Sequence, residues 1–339
     1  MSVPVVGLHY PGSTGDFLAW FGSDVDCMDY LEWLRWPDGY VCPACECSGG
    51  WRLGDGRFMC EDCGSRTSVT AGTIFDRTRT PMTVWFHAGW MFATQKDGVS
   101  ALSLQRALEI GSYQTAWAML HRLRSVLVRP GRDRLSGTVE VDETYIGGEE
   151  PGLRGGRAKG KKSLVGIAVE RQIPTGFGRA RMAVLPDATT ESLGSFLTDH
   201  VEPGSTVVTD GLQAYRGAMK DYTHERIVGS DISLPGVHRV ASLAKRWLLS
   251  THQGSVDDTH LPGYLNEFVF RFNRRPSRSR GMLFYRLLEL AVAHDPVRYR
   301  DLVLNHEQPR AKPPVPPRKR GHPASVQRPP ANRPWRDRV

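Results

Sequence analysis

Two cysteine pairs, Cys42-x-x-Cys45 and Cys60-x-x-Cys63, constrain the fold of this chain more than any other feature. Each pair sits on a tight turn whose backbone lets two thiolates share one ion, and two such knuckles complete a tetrahedral four-sulfur site. Trp51 and Phe58 lie between the pairs with Gly54-Asp55-Gly56 as a turn, the pattern of a short hairpin. A zinc ribbon over residues 41–72 is expected, behind a helical segment at 1–40. Sulfur fills all four positions, so the Zn²⁺ is expected to be structural and no zinc hydrolase is implied. Cys47 competes with Cys45 only through a less usual C-x-C spacing. Cys27, alone in "VDCMDYLEWLRWPDG", is expected in the core.

The six cysteines do not form a disulfide framework if the chain is cytoplasmic, and two features point there. No apolar run approaches the roughly 18 residues a membrane helix needs, and no signal peptide is visible. A soluble cytoplasmic protein with no membrane partner is expected. At 339 residues and 40% hydrophobic, it can bury a sizeable core in more than one domain.

Residues 80–130 read as helical. In "VSALSLQRALEIGSYQTAWAMLHRLRSVLV", Leu104, Leu108 and Ile110 lead into Gly111-Ser112, after which Ala116, Leu120 and Leu123 recur at helical spacing. Two short helices joined by a Gly-containing turn make a helix-turn-helix candidate, or an ordinary helical hairpin. Its second helix is expected to present Tyr113, Gln114, Trp117 and Arg124 outward, towards a major groove.

Charge adds a second hint of a polyanionic partner. The net charge is +8, yet Gln308–Val339 alone holds nine Lys or Arg against one acid, Asp337. Everything before Gln308 is formally neutral. The segment 306–339 is also Pro-rich, so a disordered basic arm is expected, suited to DNA or simply solubilising.

From Ser136 the pattern changes to alternating strands and helices, and a domain over 136–300 is expected. "TVEVDETYI", "SLVGIAVERQ" and "GRARMAVLPD" read as strands. "TTESLGSFLTDHV" is a Thr-capped helix, "STVVTDGLQAYRG" a strand ending at Asp210, "HERIVGS" a last strand and "HRVASLAKRWLLS" a helix. This order describes an α/β, ribonuclease-H-like fold, a mixed sheet with flanking helices. In "TVEVDETYIGG" the acid Asp142 interrupts a half-buried strand, which gains nothing from a charge without a cation or donor network. That topology brings Asp142 beside Asp210. Two adjacent carboxylates ionise together only around a bound cation, so both are read as ligands of Mg²⁺ or Mn²⁺. Glu143 points to the opposite strand face.

"VEVDETYIGG", "VVTDGLQAY" and "YLNEFVFRFNRR", behind a CxxC…CxxC ribbon, resemble the DDE-type insertion-sequence transposases with an N-terminal zinc ribbon, the ISXO2-like, Merlin-related superfamily. The resemblance runs from about Asp16 to about Arg300. It implies a metal-dependent polynucleotidyl transferase that binds terminal inverted repeats, cuts the ends and joins their 3′-OH to target DNA. It also implies a homodimer or higher multimer on DNA in a prokaryotic cytoplasm. The family's third ligand lies on the helix after the last strand, seven residues before a basic DNA contact, here Lys245. Seven residues back stands His238, not Glu, which fits a DDH variant; imidazole accepts Mn²⁺ better than Mg²⁺. Glu267 is a rival third ligand, and a degenerate, inactive site is another reading. The basic loop with Arg154, Arg157, Lys159, Lys161 and Lys162 is expected to reach the phosphate backbone, as are Arg271, Arg274 and Arg275. A DNA-binding protein whose α/β body only dimerises, or a nuclease of the same fold, remains an alternative.

Overall fold

The computed structural model describes residues 9–129, 131–147, 162–172, 176–228, 234–254 and 256–304. The chain divides into two compact units, Met1–Pro130 with Ser277–Val339, and Gly131–Pro276.

The first unit opens with α1 (Thr14–Trp20) and α2 (Asp24–Arg35). Ser13 and Ser23 cap them, and Asp26 completes a capping box with Ser23. The ribbon that follows has three antiparallel strands, β1 (Gly50–Arg52), β2 (Phe58–Cys60) and β3 (Arg66–Thr67), one more than the hairpin the sequence signals. Then come α3 (Met82–Thr94), α4 (Ala101–Ala107) and α5 (Tyr113–Ser125), the last two capped by Ser100 and Ser112.

The second unit is built on β4 (Thr138–Ile146), β5 (Ser163–Arg171), β6 (Phe177–Leu185), α6 (Thr190–His200), β7 (Thr206–Thr209), α7 (Tyr215–Ala218), β8 (Thr223–Arg226), α8 (Pro235–His252) and α9 (Leu261–Asn273). Its sheet order is β6-β5-β4-β7-β8. β4, β5 and β6 form an antiparallel meander, and β7 and β8 run parallel to β4. This mixed sheet between helical layers is the ribonuclease-H-like arrangement expected. Val139 and Val141 pack with α6 and α7 through Leu193, Phe196, Leu197 and Tyr215. Ile146, Val165, Ile167 and Val208 pack with α8 and α9 through Val237, Val240, Ala244 and Phe268. Strand alternation therefore puts Glu140, Asp142 and Thr144 on the α8 side of β4. Trp247 is a core residue of the same cluster.

The compact α/β unit ends at Pro276, short of the boundary at residue 300 that the sequence pattern indicated. α10 (Arg280–Ala293) belongs to the first unit, and α11 (Tyr299–Leu304) follows it. The reason lies in the aromatic core that α10 completes. Phe284 packs against Phe17, Phe86 and Trp90 with ring centroids 5.5–5.7 Å apart. Phe21 and Phe86 lie at 4.7 Å in an edge-to-face pair. Gly281 lets the start of α10 come against the Pro11 carbonyl, where a Cβ would collide. No helix among the described residues is long and apolar enough to cross a membrane.

Candidate active site and metal centres

Two clusters of potential ligands stand out. In the ribbon, the Sγ atoms of Cys42, Cys45, Cys60 and Cys63 all lie within 4.8 Å of one another. The closest pairs are Cys42–Cys63 at 3.7 Å and Cys45–Cys60 at 3.6 Å. A zinc tetrahedron with Zn–S near 2.3 Å has edges of about 3.8 Å, so the four thiols already stand at ligand spacing. Cys47 stays outside this group, its thiol against the Cys45 carbonyl, and Cys27 is buried. Burial of Cys27 raises its pKa, with the charges of Asp24 and Asp26 adding to the effect.

In the α/β unit the site grows from β4. Glu140 stands opposite Val208 in the parallel β4–β7 pair, so Asp142 and Asp210 each lie two residues further along adjacent strands. Asp210 turns the chain just after β7, accepting from the Leu212 amide at 2.9 Å. Asp142 accepts from the Glu143 amide at 2.8 Å with one oxygen. Its other oxygen lies 3.7 Å from His238 Nε2, on the first turn of α8. The His238 side chain is 58% exposed and that of Asp142 20%, so both are open to an incoming group. Further along the same helix, Lys245 Nζ donates to Thr144 Oγ1 at 2.7 Å. Burial lowers the Lys245 pKa, and the charge of Lys162 nearby adds to this.

The carboxylates crowd one another. Glu143, on the opposite face of β4, is raised to about 7, chiefly by burial; the Tyr215 hydroxyl opposes the shift, and the charges of Asp142 and Asp210 add to it. Neighbouring carboxylates of this kind suit a hard divalent cation held by oxygen and imidazole donors. Among the described residues, however, only the four cysteines bring three ligand atoms within 4.8 Å. Asp142 and His238 are paired, and Asp210 stands further off.

The rival third ligand has another occupation. Glu267 on α9 is 0% exposed, and its Oε1 accepts from Arg271 Nη2 at 2.8 Å and Nε at 3.0 Å. Arg271 therefore does not reach out towards DNA as expected; it neutralises a buried carboxylate one helical turn away. Arg274 stacks over Phe270 at 4.0 Å. Arg275 stacks over Phe272 and donates to the carbonyls of Phe272, Gly178 and Phe177, so it closes the end of α9 against β6.

On α5, Tyr113 and Gln114 are exposed and Trp117 is half-buried, but Arg124 is 2% exposed. Its face of the helix does continue that of Tyr113. Around Arg124, though, His121 and Leu123, and Val126 and Leu127 just past the helix, are buried too, so the outward face ends after two turns. Lys161, the loop residues Arg154, Arg157 and Lys159, and the basic arm 306–339 lie outside the described residues.

Glu140 carries a role that pattern reading did not assign. Its buried carboxylate binds Arg171 and the first amides of α8. The sequence holds only an indirect hint of it, two acids on the same face of one strand; that α8 starts at Pro235-Gly236 with no capping side chain of its own is visible only in the fold.

These features define a class: a zinc ribbon joined to an α/β domain with one acid on its first strand and another just past the end of its fourth. Known proteins show which one. A model described as the ISXO2-like transposase domain matches residues 134–273, and one described as a transposase zinc-ribbon domain matches residues 22–66. This chain therefore carries an ISXO2-like transposase domain behind a transposase zinc-ribbon domain. It is 28% identical over 277 residues to the "Uncharacterized protein in transposable element ISH50" of Halobacterium salinarum, across 74% of this chain and 91% of that protein. Among solved structures, it is similar to the catalytic core domain of BIV integrase, at 15% identity and a TM-score of 0.29, over 45% of this chain and 93% of that one. It is also similar to a chain of the simian T-cell lymphotropic virus intasome in complex with PP2A regulatory subunit B56 gamma, at 14% identity and a TM-score of 0.28, over 66% and 76%.

Proposed function

We propose that this transposase binds the terminal inverted repeats of an insertion sequence, cuts its ends and joins each 3′-OH to target DNA, using Asp142, Asp210 and His238 as the ligands of Mg²⁺ or Mn²⁺. The observation that carries the reading is the 3.7 Å approach of His238 Nε2 to Asp142 Oδ2 beside the end of β7. When bound there, a divalent ion makes water or a 3′-OH a better nucleophile and offsets the charge that builds on the scissile phosphate.

The chain's own groups do the rest. Asp142 is fixed by a strand and by the Glu143 amide, so its second oxygen faces His238 in a constant direction. His238 completes the donor set from α8. Lys245, seven residues on, is held over β4 by Thr144, where its ammonium meets a backbone phosphate. Gln114 and Tyr113, exposed at the start of α5, supply the side chains of a helix-turn-helix for a major groove. Two ends must be held together, so the working form is a dimer or higher multimer on DNA.

The test is strand transfer of a pre-cleaved element end in Mg²⁺ and in Mn²⁺. Asp142→Ala and His238→Ala are expected to abolish joining, while Glu267→Ala keeps it in the fraction that folds. Joining that survives His238→Ala would refute the Asp-Asp-His site. A wild type that binds the ends yet joins nothing in either metal would refute the enzymatic reading altogether.

A further inference from the structure

We propose that Glu140 is a positioning residue that fixes the first turn of α8, and through it His238, against Asp142. This rests on the divalent-ion reading above. The Glu140 carboxylate is 0% exposed and receives three hydrogen bonds: Arg171 Nε at 2.6 Å, the Gly236 amide at 2.7 Å and the Val237 amide at 3.1 Å.

α8 needs this outside partner. Leu234 at its N-cap offers no side-chain acceptor, and Pro235 at the first position has no N–H. The next two amides go to Glu140, whose negative charge also suits a helix N-terminus. His238 follows immediately, its amide already within the helix and bonded to the Leu234 carbonyl at 3.0 Å. The anchor is thus one residue from the imidazole's own Cα.

On β4, Glu140 and Asp142 are two residues apart on one face. One rigid strand therefore carries both the anchor for the helix and the acid that faces His238. The distance between the two ligands is set by a strand and a first helical turn, with no loop between anchor and ligand. Gly236 makes the approach possible, since a Cβ there would stand 2.9 Å from Glu140 Oε2 and 3.0 Å from the Phe177 ring. Arg171 closes the other side and makes a fully buried carboxylate tolerable.

Glu140→Gln keeps the shape but replaces one acceptor oxygen with an NH2 that cannot accept, so it can no longer receive the α8 N–H groups and Arg171 together. The experiment titrates Mn²⁺ into the full-length, zinc-loaded protein by electron paramagnetic resonance, with Asp142→Ala as the blank. Glu140→Gln is expected to weaken Mn²⁺ binding about tenfold, as for other outer-shell partners of a ligand. In a His238→Ala background the same change is expected to weaken it no further, because Glu140 acts through His238. Gly236→Ala, which leaves the charge in place and pushes the turn away, is expected to behave alike, and it carries the test if a melting scan shows that Glu140→Gln does not fold. Equal weakening with and without His238, or none at all, would overturn the proposal while leaving the metal site standing. A wild type with no Asp142-dependent Mn²⁺ binding would overturn both together.

Discussion

Asp142 and Glu267 are both acids of the α/β unit, and burial separates their roles. Asp142 is partly exposed and faces an exposed imidazole, while Glu267 is sealed and matched by Arg271. Removing one partner of a buried ion pair leaves an uncompensated charge and costs about 3–5 kcal/mol, whereas an apolar replacement of both partners is often neutral. Arg271→Ala is therefore expected to lower the melting temperature of the protein markedly, and Glu267→Leu with Arg271→Met to restore most of it. If Arg271→Ala leaves melting unchanged and weakens DNA binding instead, Arg271 is a phosphate contact after all. Asp142 and His238 were legible as candidates, one as an acid in a strand, the other through the family resemblance, by its seven-residue spacing from Lys245. It could not show what Glu140 does, since its partners Gly236 and Val237 lie 96 and 97 residues along the chain. A buried acid's meaning is set by the donor it meets, and that meeting is tertiary.

At the level of elements, local signals located most helices and strands and were silent on their surroundings. The Thr189 cap of α6 and the Ser112 cap of α5 stand where the sequence put those starts. β3 escaped notice because two residues carry no periodicity, and its pairing with β2 depends on the second cysteine knuckle folding the chain back. The ribbon illustrates how little else supports such a small sheet. Phe58 packs on Tyr40 at 5.0 Å and on Trp36 at 5.2 Å, and only short strands extend from there. Apparent zinc binding of roughly 10–16 kcal/mol exceeds anything so few aromatic contacts supply. Cys45→Ser or exhaustive chelation is expected to release the zinc, measured by atomic absorption, and to unfold β1–β3, measured as loss of amide protection over residues 50–67. Cys47→Ser is expected to keep a full equivalent of zinc. A loss of zinc in Cys47→Ser would place that thiol in the coordination sphere and displace one of the four.

Over the whole molecule, charge is distributed as unevenly as the folding units. Residues 280–293 were expected within the α/β domain over 136–300, but an apolar helix fits many cores; the aromatic cluster of Phe17, Phe86 and Trp90 decides that α10 joins the first unit. Residues 1–72, with the ribbon, hold ten acids against four arginines, and the rest of the chain holds 26 acids against 40 basic residues. The helical segment 1–40, with six acids against one arginine, is thus poorly suited to phosphate contact, and the arm from Gln308 to Val339, with nine Lys or Arg and one acid, is well suited. Each neutralised phosphate steepens the dependence of log K on log salt by about 0.9. Deleting residues 308–339 is expected to flatten that slope for random duplex DNA by several units, up to about 7 if all eight net charges engage. Affinity for an element end at low salt should fall as well, while the preference for that end over random DNA persists, because phosphate contacts carry no sequence information. Fluorescence anisotropy at four or five salt concentrations reads both quantities. An unchanged slope would mean that the arm does not touch DNA and serves solubility alone. A lost preference would mean that it reads bases, which a Pro-rich basic segment has little chemistry to do beyond the minor groove.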